Sequence, residues 1–212
     1  MKIVATALKT ADGLRLEAEW AAPDDARATA VLCHPHPQYG GTMRSIVISA
    51  LFESLPTHGI ACLRFNFRGV EHSEGAYAEG RDEPIDVLTA LDTASVEGVN
   101  GPLALIGWSF GADMALGIDD ARIAGWVGIA PPLRFRPEHA YDSVGSDARP
   151  KLLVLAAHDE FRSPAEIEAQ TSTWLSTRRE TVAGASHFFV GRTERVVALA
   201  AEFVETLIAS GA

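Results

Sequence analysis

The chain of 212 residues carries 28 acidic and 18 basic side chains, a net charge of −10, with 47% hydrophobic and 22% charged residues. That balance can build a full core in one α/β domain spanning residues 1–212, and the shortage of Lys and Arg argues against nucleic acid as a partner. No run approaches the ~18 apolar residues of a membrane span, and the opening MKIVATALKT lacks the apolar centre of a signal peptide, so a cytoplasmic protein away from membranes is expected.

KIVATALKT and GLRLEAEWA flank the turn residues Ala11, Asp12 and Gly13 and read as an N-terminal hairpin. ATAVLCH, 28–34, is a third strand, followed by a loop rich in Pro and Gly and an amphipathic helix from about Thr42 to Thr57. IACLRFNF, 60–67, is a fourth strand. Cys33 and Cys62 lie inside these apolar runs and read as buried free thiols, a disulfide between the two strands being the weaker alternative. Residues 82–97 form a helix on the spacing of Ile85, Leu88 and Leu91, and PLALIG, 102–107, is strand five. FGADMALGI begins the next helix. RIAGWVGIA, KLLVLAA and RRETVAG read as three more strands, with helices near 164–176 and 193–209, and 131–150 is the one long irregular stretch. After the hairpin, strands and helices alternate. The expected fold is therefore a mostly parallel eight-stranded sheet between two helical layers, with ligands bound beyond the carboxyl ends of the strands.

Chemistry gathers at that edge. In A-L-I-G-W-S-F-G-A, Ser109 stands between an apolar strand and a helix, with Gly107 and Gly111 as small neighbours that a strained elbow needs. An ordinary turn is the alternative. A serine hydroxyl needs a base, and seven histidines compete. His187, in G-A-S-H-F-F after the last strand, falls at the same edge. His58 lies at a helix end away from it, His72 and His139 in polar loops, and His158 beside the best acid candidate. That acid is Asp159, directly after KLLVLAA; Glu160, Asp142 and Asp147 are rivals.

The loop H-P-H-P-Q-Y-G-G, 34–41, follows strand three, where such a site carries its second oxyanion donor. Pro35 and Pro37 have no N–H, which leaves His36, Gln38, Tyr39 and the glycines. His36, two residues past the strand, is selected, paired with the N–H of Phe110. His-x-His could instead suggest a metal pair, but no third ligand stands at a recognised spacing, so no metal and no cofactor are expected.

H-P-H-P-Q-Y-G-G-T-M, L-R-F-N-F-R-G-V-E-H-S-E-G, I-G-W-S-F-G-A and G-A-S-H-F-F-V-G-R run through almost the whole chain. Together they resemble the α/β-hydrolase superfamily, more narrowly its small bacterial serine hydrolases without a lid, of the esterase and dienelactone-hydrolase kind. The resemblance implies Ser109 as nucleophile, Asp159 as acid and His187 as base, in the chain order expected of that fold. Glu71 stands where relatives commonly have glycine, and A-A-H before Asp159 lacks a glycine often found there. Residues 131–150 are long enough for a rim but not for a cap. The expectation is a hydrolase of small carboxylic esters with an open site. A thioesterase, a small peptidase and a catalytically silent binding protein on the same fold are the alternatives.

Overall fold

Eight strands hydrogen-bond in the spatial order β1-β2-β4-β3-β5-β6-β7-β8 in the computed structural model, which describes residues 2–211. β1 (Lys2–Lys9) and β2 (Arg15–Ala22) form the hairpin, closed by Gly13 at φ +91° and by Thr10, whose hydroxyl accepts the Leu14 N–H at 2.8 Å. β2 pairs antiparallel with β4 (Ile60–Phe65). From there the sheet is parallel through β3 (Ala28–Cys33), β5 (Leu103–Trp108), β6 (Ile123–Ile129), β7 (Lys151–Ala156) and β8 (Thr177–Val182). Every residue of β3, β4, β5 and β7 is buried, as strands covered on both faces must be.

Alternation along the strands divides the core into two layers. Ala30, Leu32, Ile106 and Val154 pack on one face beneath α1 (Ile46–Ser54) and α6 (Thr193–Ser210). Val31, Leu105, Leu153 and Leu155 face the other layer, α2 (Glu83–Glu97) and α3 (Phe110–Leu116), with Val144 of α4 (Asp142–Ser146) and Ile167 of α5 (Pro164–Gln170). Cys62 belongs to the first layer and Cys33 to the second, so the thiols lie on opposite sides of the sheet and both are free. Burial pushes both thiols far up in pKa, and both stay protonated.

Three helices differ from the sequence expectation. The helix expected from Thr42 begins at Ile46, because Thr42 to Ser45 close a turn in which the Ser45 hydroxyl accepts the Thr42 N–H at 3.0 Å. It ends at Ser54 and continues as a single 3₁₀ turn, Leu55–His58. The helix expected over 164–176 stops at Gln170. The Leu175 N–H is taken by the Gly145 carbonyl at 2.8 Å and the Thr171 hydroxyl by Arg179, and these bonds across the chain replace the next helical turn. Within 131–150, expected to be irregular, Glu138–Tyr141 makes a 3₁₀ turn that runs into α4.

Candidate active site

β5 delivers its last residue, Trp108, to the carboxyl edge of the sheet, and the chain reverses at once into α3. The reversal falls on Ser109, held at φ +55°, ψ −119°, a conformation an L-residue adopts only under constraint. Two glycines permit it. A Cβ on Gly107 would overlap the Gly111 carbonyl, and one on Gly111 would overlap the carbonyls of Cys33 and His34. The Ser109 N–H donates to Ile129 O of β6 at 2.8 Å, which fixes the bend to the neighbouring strand. The elbow is thus a matter of backbone packing, and the hydroxyl emerges above the sheet.

His187 arrives from the loop after β8. Its Nε2 lies 2.8 Å from Ser109 Oγ, and its Nδ1 lies 2.9 Å from Oδ2 and 3.1 Å from Oδ1 of Asp159, from the loop after β7. The Asp159 carboxylate also accepts the N–H groups of Phe161 at 2.9 Å and Arg162 at 3.1 Å. These donors leave it oriented toward the imidazole. With Nδ1–H donated to Asp159, Nε2 carries the lone pair that faces the serine. The histidine and serine are nearly inaccessible, 5% and 8% exposed, so little bulk water competes for the Ser109–His187 contact.

The competing histidines and acids lie elsewhere. His58, His72, His139 and His158 are exposed; Asp142 is exposed, and Asp147 is spent on Arg149. Glu160 has a use that the sequence did not reveal: its Oε2 accepts the His187 backbone N–H at 3.0 Å. Trp108 Nε1 donates to the His187 carbonyl at 3.2 Å, so the peptide groups on both sides of the imidazole are held.

The loop after β3 is fastened by its two histidines in different ways. His34, fully buried, donates from Nδ1 to Pro35 O at 2.6 Å and accepts the Phe67 N–H at Nε2 at 3.0 Å. Burial drives its pKa down to about 3, so it is a neutral tie between the loops after β3 and β4. His36 accepts the Gln38 N–H at Nδ1, 3.2 Å, and lies 3.0 Å from the Tyr77 hydroxyl at Nε2, inside a ring of Tyr39, Tyr77, Phe110 and Phe135. Its pKa is lowered by burial first and by the charge of Arg134 second. Rival amides in the loop are committed: Gln38 to the His36 ring, Tyr39 and Gly41 to the His36 carbonyl. Among the described residues, neither the His36 nor the Phe110 N–H donates to another group of the chain. No cluster of three or more His, Cys, Asp or Glu suited to a metal ion occurs among them.

Glu71 adopts φ +47°, the left-handed region that a glycine would occupy without cost. Its carboxylate accepts from Arg44 at 2.9 Å and Asn66 at 2.7 Å, bonds that hold the side chain in place.

Ser109 and His187 form part of the floor of a cleft of about 650 Å³. Its walls are largely aromatic: Tyr39, Trp108, Phe135, Phe161 and Phe188. The wall formed by 132–135 is tied down from below. Asp113, buried on α3 one turn beyond Ser109, accepts the N–H groups of Leu133, Arg134 and Phe135 at 2.8, 2.8 and 2.9 Å. Among the described residues no separate lid covers the cleft, and Tyr39 at its mouth is 84% exposed. Among the described residues no helix is long and apolar enough to cross a membrane.

The fold and its matches define the class: this chain has the α/β-hydrolase fold and is similar to serine hydrolases without a lid. A solved α/β serine hydrolase homologue from Coxiella burnetii superposes with a TM-score of 0.85 and 29% identity, over 96% of this chain and 98% of that one. A serine hydrolase without a lid from Xanthomonas campestris gives a TM-score of 0.83 and 26% identity, over 97% and 95%. An uncharacterised Rickettsia prowazekii protein is 28% identical over 190 residues, 85% of this chain and 80% of that protein. No protein-family model matches the chain. The solved neighbours support hydrolase chemistry in general.

Proposed function

We propose that this protein is a serine hydrolase that cleaves carboxylic esters of small molecules through an acyl-enzyme on Ser109. The single observation that carries the reading is the continuous hydrogen-bonded chain from Asp159 through His187 to Ser109, opening into an apolar cleft. Ser109 Oγ attacks the ester carbonyl as His187 Nε2 takes its proton, and Asp159 stabilises the imidazolium without accepting that proton. The tetrahedral oxyanion is met by the free N–H groups of His36 and Phe110. His187 then hands its proton to the departing alkoxide. Water, deprotonated by His187 in turn, releases the acid and frees the serine.

A cleft of about 650 Å³ without a cap suits short acyl groups, because nothing covers a long chain from water. The test is labelling by a fluorophosphonate, with the adduct expected on the Ser109 peptide. It is paired with a hydrolysis screen of esters, thioesters and amides over acyl length. Ester turnover highest at two to four acyl carbons is expected. A faster thioester or amide, or higher turnover at twelve carbons, would replace the substrate assignment, and an unlabelled, inactive protein would reduce the chain to a binding protein on this fold.

A further inference from the structure

Arg134 projects from the wall of the cleft that the Asp113 carboxylate ties down. It is exposed, and its guanidinium stands over the Phe135 ring, 5.2 Å from the centroid. It is also near enough to His36 for its charge to weigh on that ring. Twelve of the fifteen arginines in this acidic chain are spent on carboxylates or backbone carbonyls, Arg64, Arg68 and Arg149 on carboxylates and Arg136, Arg162 and Arg192 on carbonyls among them. Among the described residues Arg134 has neither a carboxylate nor a carbonyl partner, and no Asp or Glu lines the cleft. A permanent cation therefore stands, uncompensated, among aromatic walls on the same cleft as the serine.

We infer that Arg134 is a specificity-determining residue that pairs with a carboxylate on the substrate, so that the preferred substrates are anionic esters, half-esters of short dicarboxylic acids or their counterparts with the carboxylate on the alcohol side. This rests on the ester-hydrolase reading and narrows its substrate class. The planar guanidinium presents a fork of N–H donors that matches a carboxylate, and the low-polarity walls strengthen the pairing relative to open solvent.

Monomethyl glutarate and its neutral amide isostere, methyl 4-carbamoylbutanoate, differ only in that charge. Acetoxyacetate and acetoxyacetamide make the same comparison on the alcohol side. At least one anionic member should exceed its neutral partner in kcat/KM by about tenfold, in line with one hydrogen bond to a charged group. The preference should lie mainly in KM and shrink with added salt. Arg134→Gln should abolish the ratio, and Arg134→Lys should restore part of it. Binding is read separately by calorimetry of the same esters on Ser109→Ala and on Ser109→Ala/Arg134→Gln. In this way Arg134 is judged whether or not turnover occurs. Equal ratios in wild type and Arg134→Gln, or binding that ignores the second substitution, overturn the inference and leave the hydrolase intact. Charge-selective binding with no turnover of any ester upholds Arg134 and overturns the ester-hydrolase reading.

Discussion

The floor and the walls of the cleft are built by different forces. On the floor, Ser109 is held by backbone against backbone: Gly107 against Gly111, Gly111 against Cys33 and His34. Around the floor, segments without regular structure are held by single side chains that reach across the chain. Asp113 grips 133–135, His34 grips Phe67, and Glu160 grips His187. Sterics tolerate no substitution but leave a short local signature. Side-chain ties permit more sequence variety and leave none. On the proposed reading the floor therefore defines the chemistry, while the walls are free to define the substrate.

Breaking the floor should cost most. Ser109→Ala and His187→Ala should each lower kcat/KM about ten-thousandfold or more, with the double variant little worse, because the two act as a unit. Additive losses in steady-state kinetics would show that they do not. Gly111→Ala forces a methyl group into two carbonyls and should destabilise by about 3 kcal/mol in urea unfolding, against near zero at an exposed helical site. A fully stable Gly111→Ala would mean that the elbow can relax.

The loop after β3 comes next. His36→Pro removes the proposed donor and should lower kcat about a hundredfold, whereas His36→Ala keeps the N–H and should retain a substantial fraction. Some loss is expected with alanine, because the imidazole fills the space between Tyr77 and Phe110. Equal, severe losses in two variants of matched thermal stability would remove His36 from the oxyanion site. Glu160 should matter less. Glu160→Ala frees the His187 peptide and should lower kcat about tenfold, with Glu160→Gln restoring most of it through the amide oxygen. A Gln variant as slow as Ala would show that charge, not the hydrogen bond, is what counts.

The same division explains what was legible in the sequence. Ser109, Asp159 and His187 stand out as candidates because apolar strands announce their own ends, and each lies within about five residues of one. Gly107 and Gly111 were visible as the only small neighbours of the serine. Asp113 left one faint signal, an acid on the otherwise apolar helix FGADMAL, which is costly to bury unless something receives it. Its partners lie 20 to 22 positions on, in a stretch with no periodicity. Glu160 and His34 likewise act over 27 and 33 positions. The ends of α1 and α5 failed for the same reason: turn bonds at Thr42–Ser45 and cross-chain bonds at Gly145 and Arg179 outweighed local helical preference.

Asp113 also gives the smallest and most discriminating test, because two forces on it oppose each other. Three N–H donors favour the carboxylate, but full burial disfavours it and wins, pushing the pKa up to about 6 from an ordinary 3.8. A folded-state pKa above the unfolded one means that the folded chain holds the proton more tightly. Its contribution to stability is then complete below pH 4 and is lost as pH rises through 6. Carboxylates held low by arginines, such as Asp147 at about 2 and Asp120, act oppositely, their contribution being lost only as pH falls, so the raw pH profile mixes both signs. Subtracting Asp113→Asn isolates the one group. Wild type minus Asp113→Asn should narrow by about 1 kcal/mol between pH 5 and pH 7 in urea unfolding, then stay flat. A gap that stays flat over that window would mean that the three N–H donors outweigh burial and hold the folded-state pKa at or below the ordinary 3.8, so that the wall carrying Arg134 is gripped by a full negative charge throughout. A narrowing gap means that the cost of burying the charge exceeds what the three N–H donors return, although each of those bonds strengthens as the carboxyl ionises.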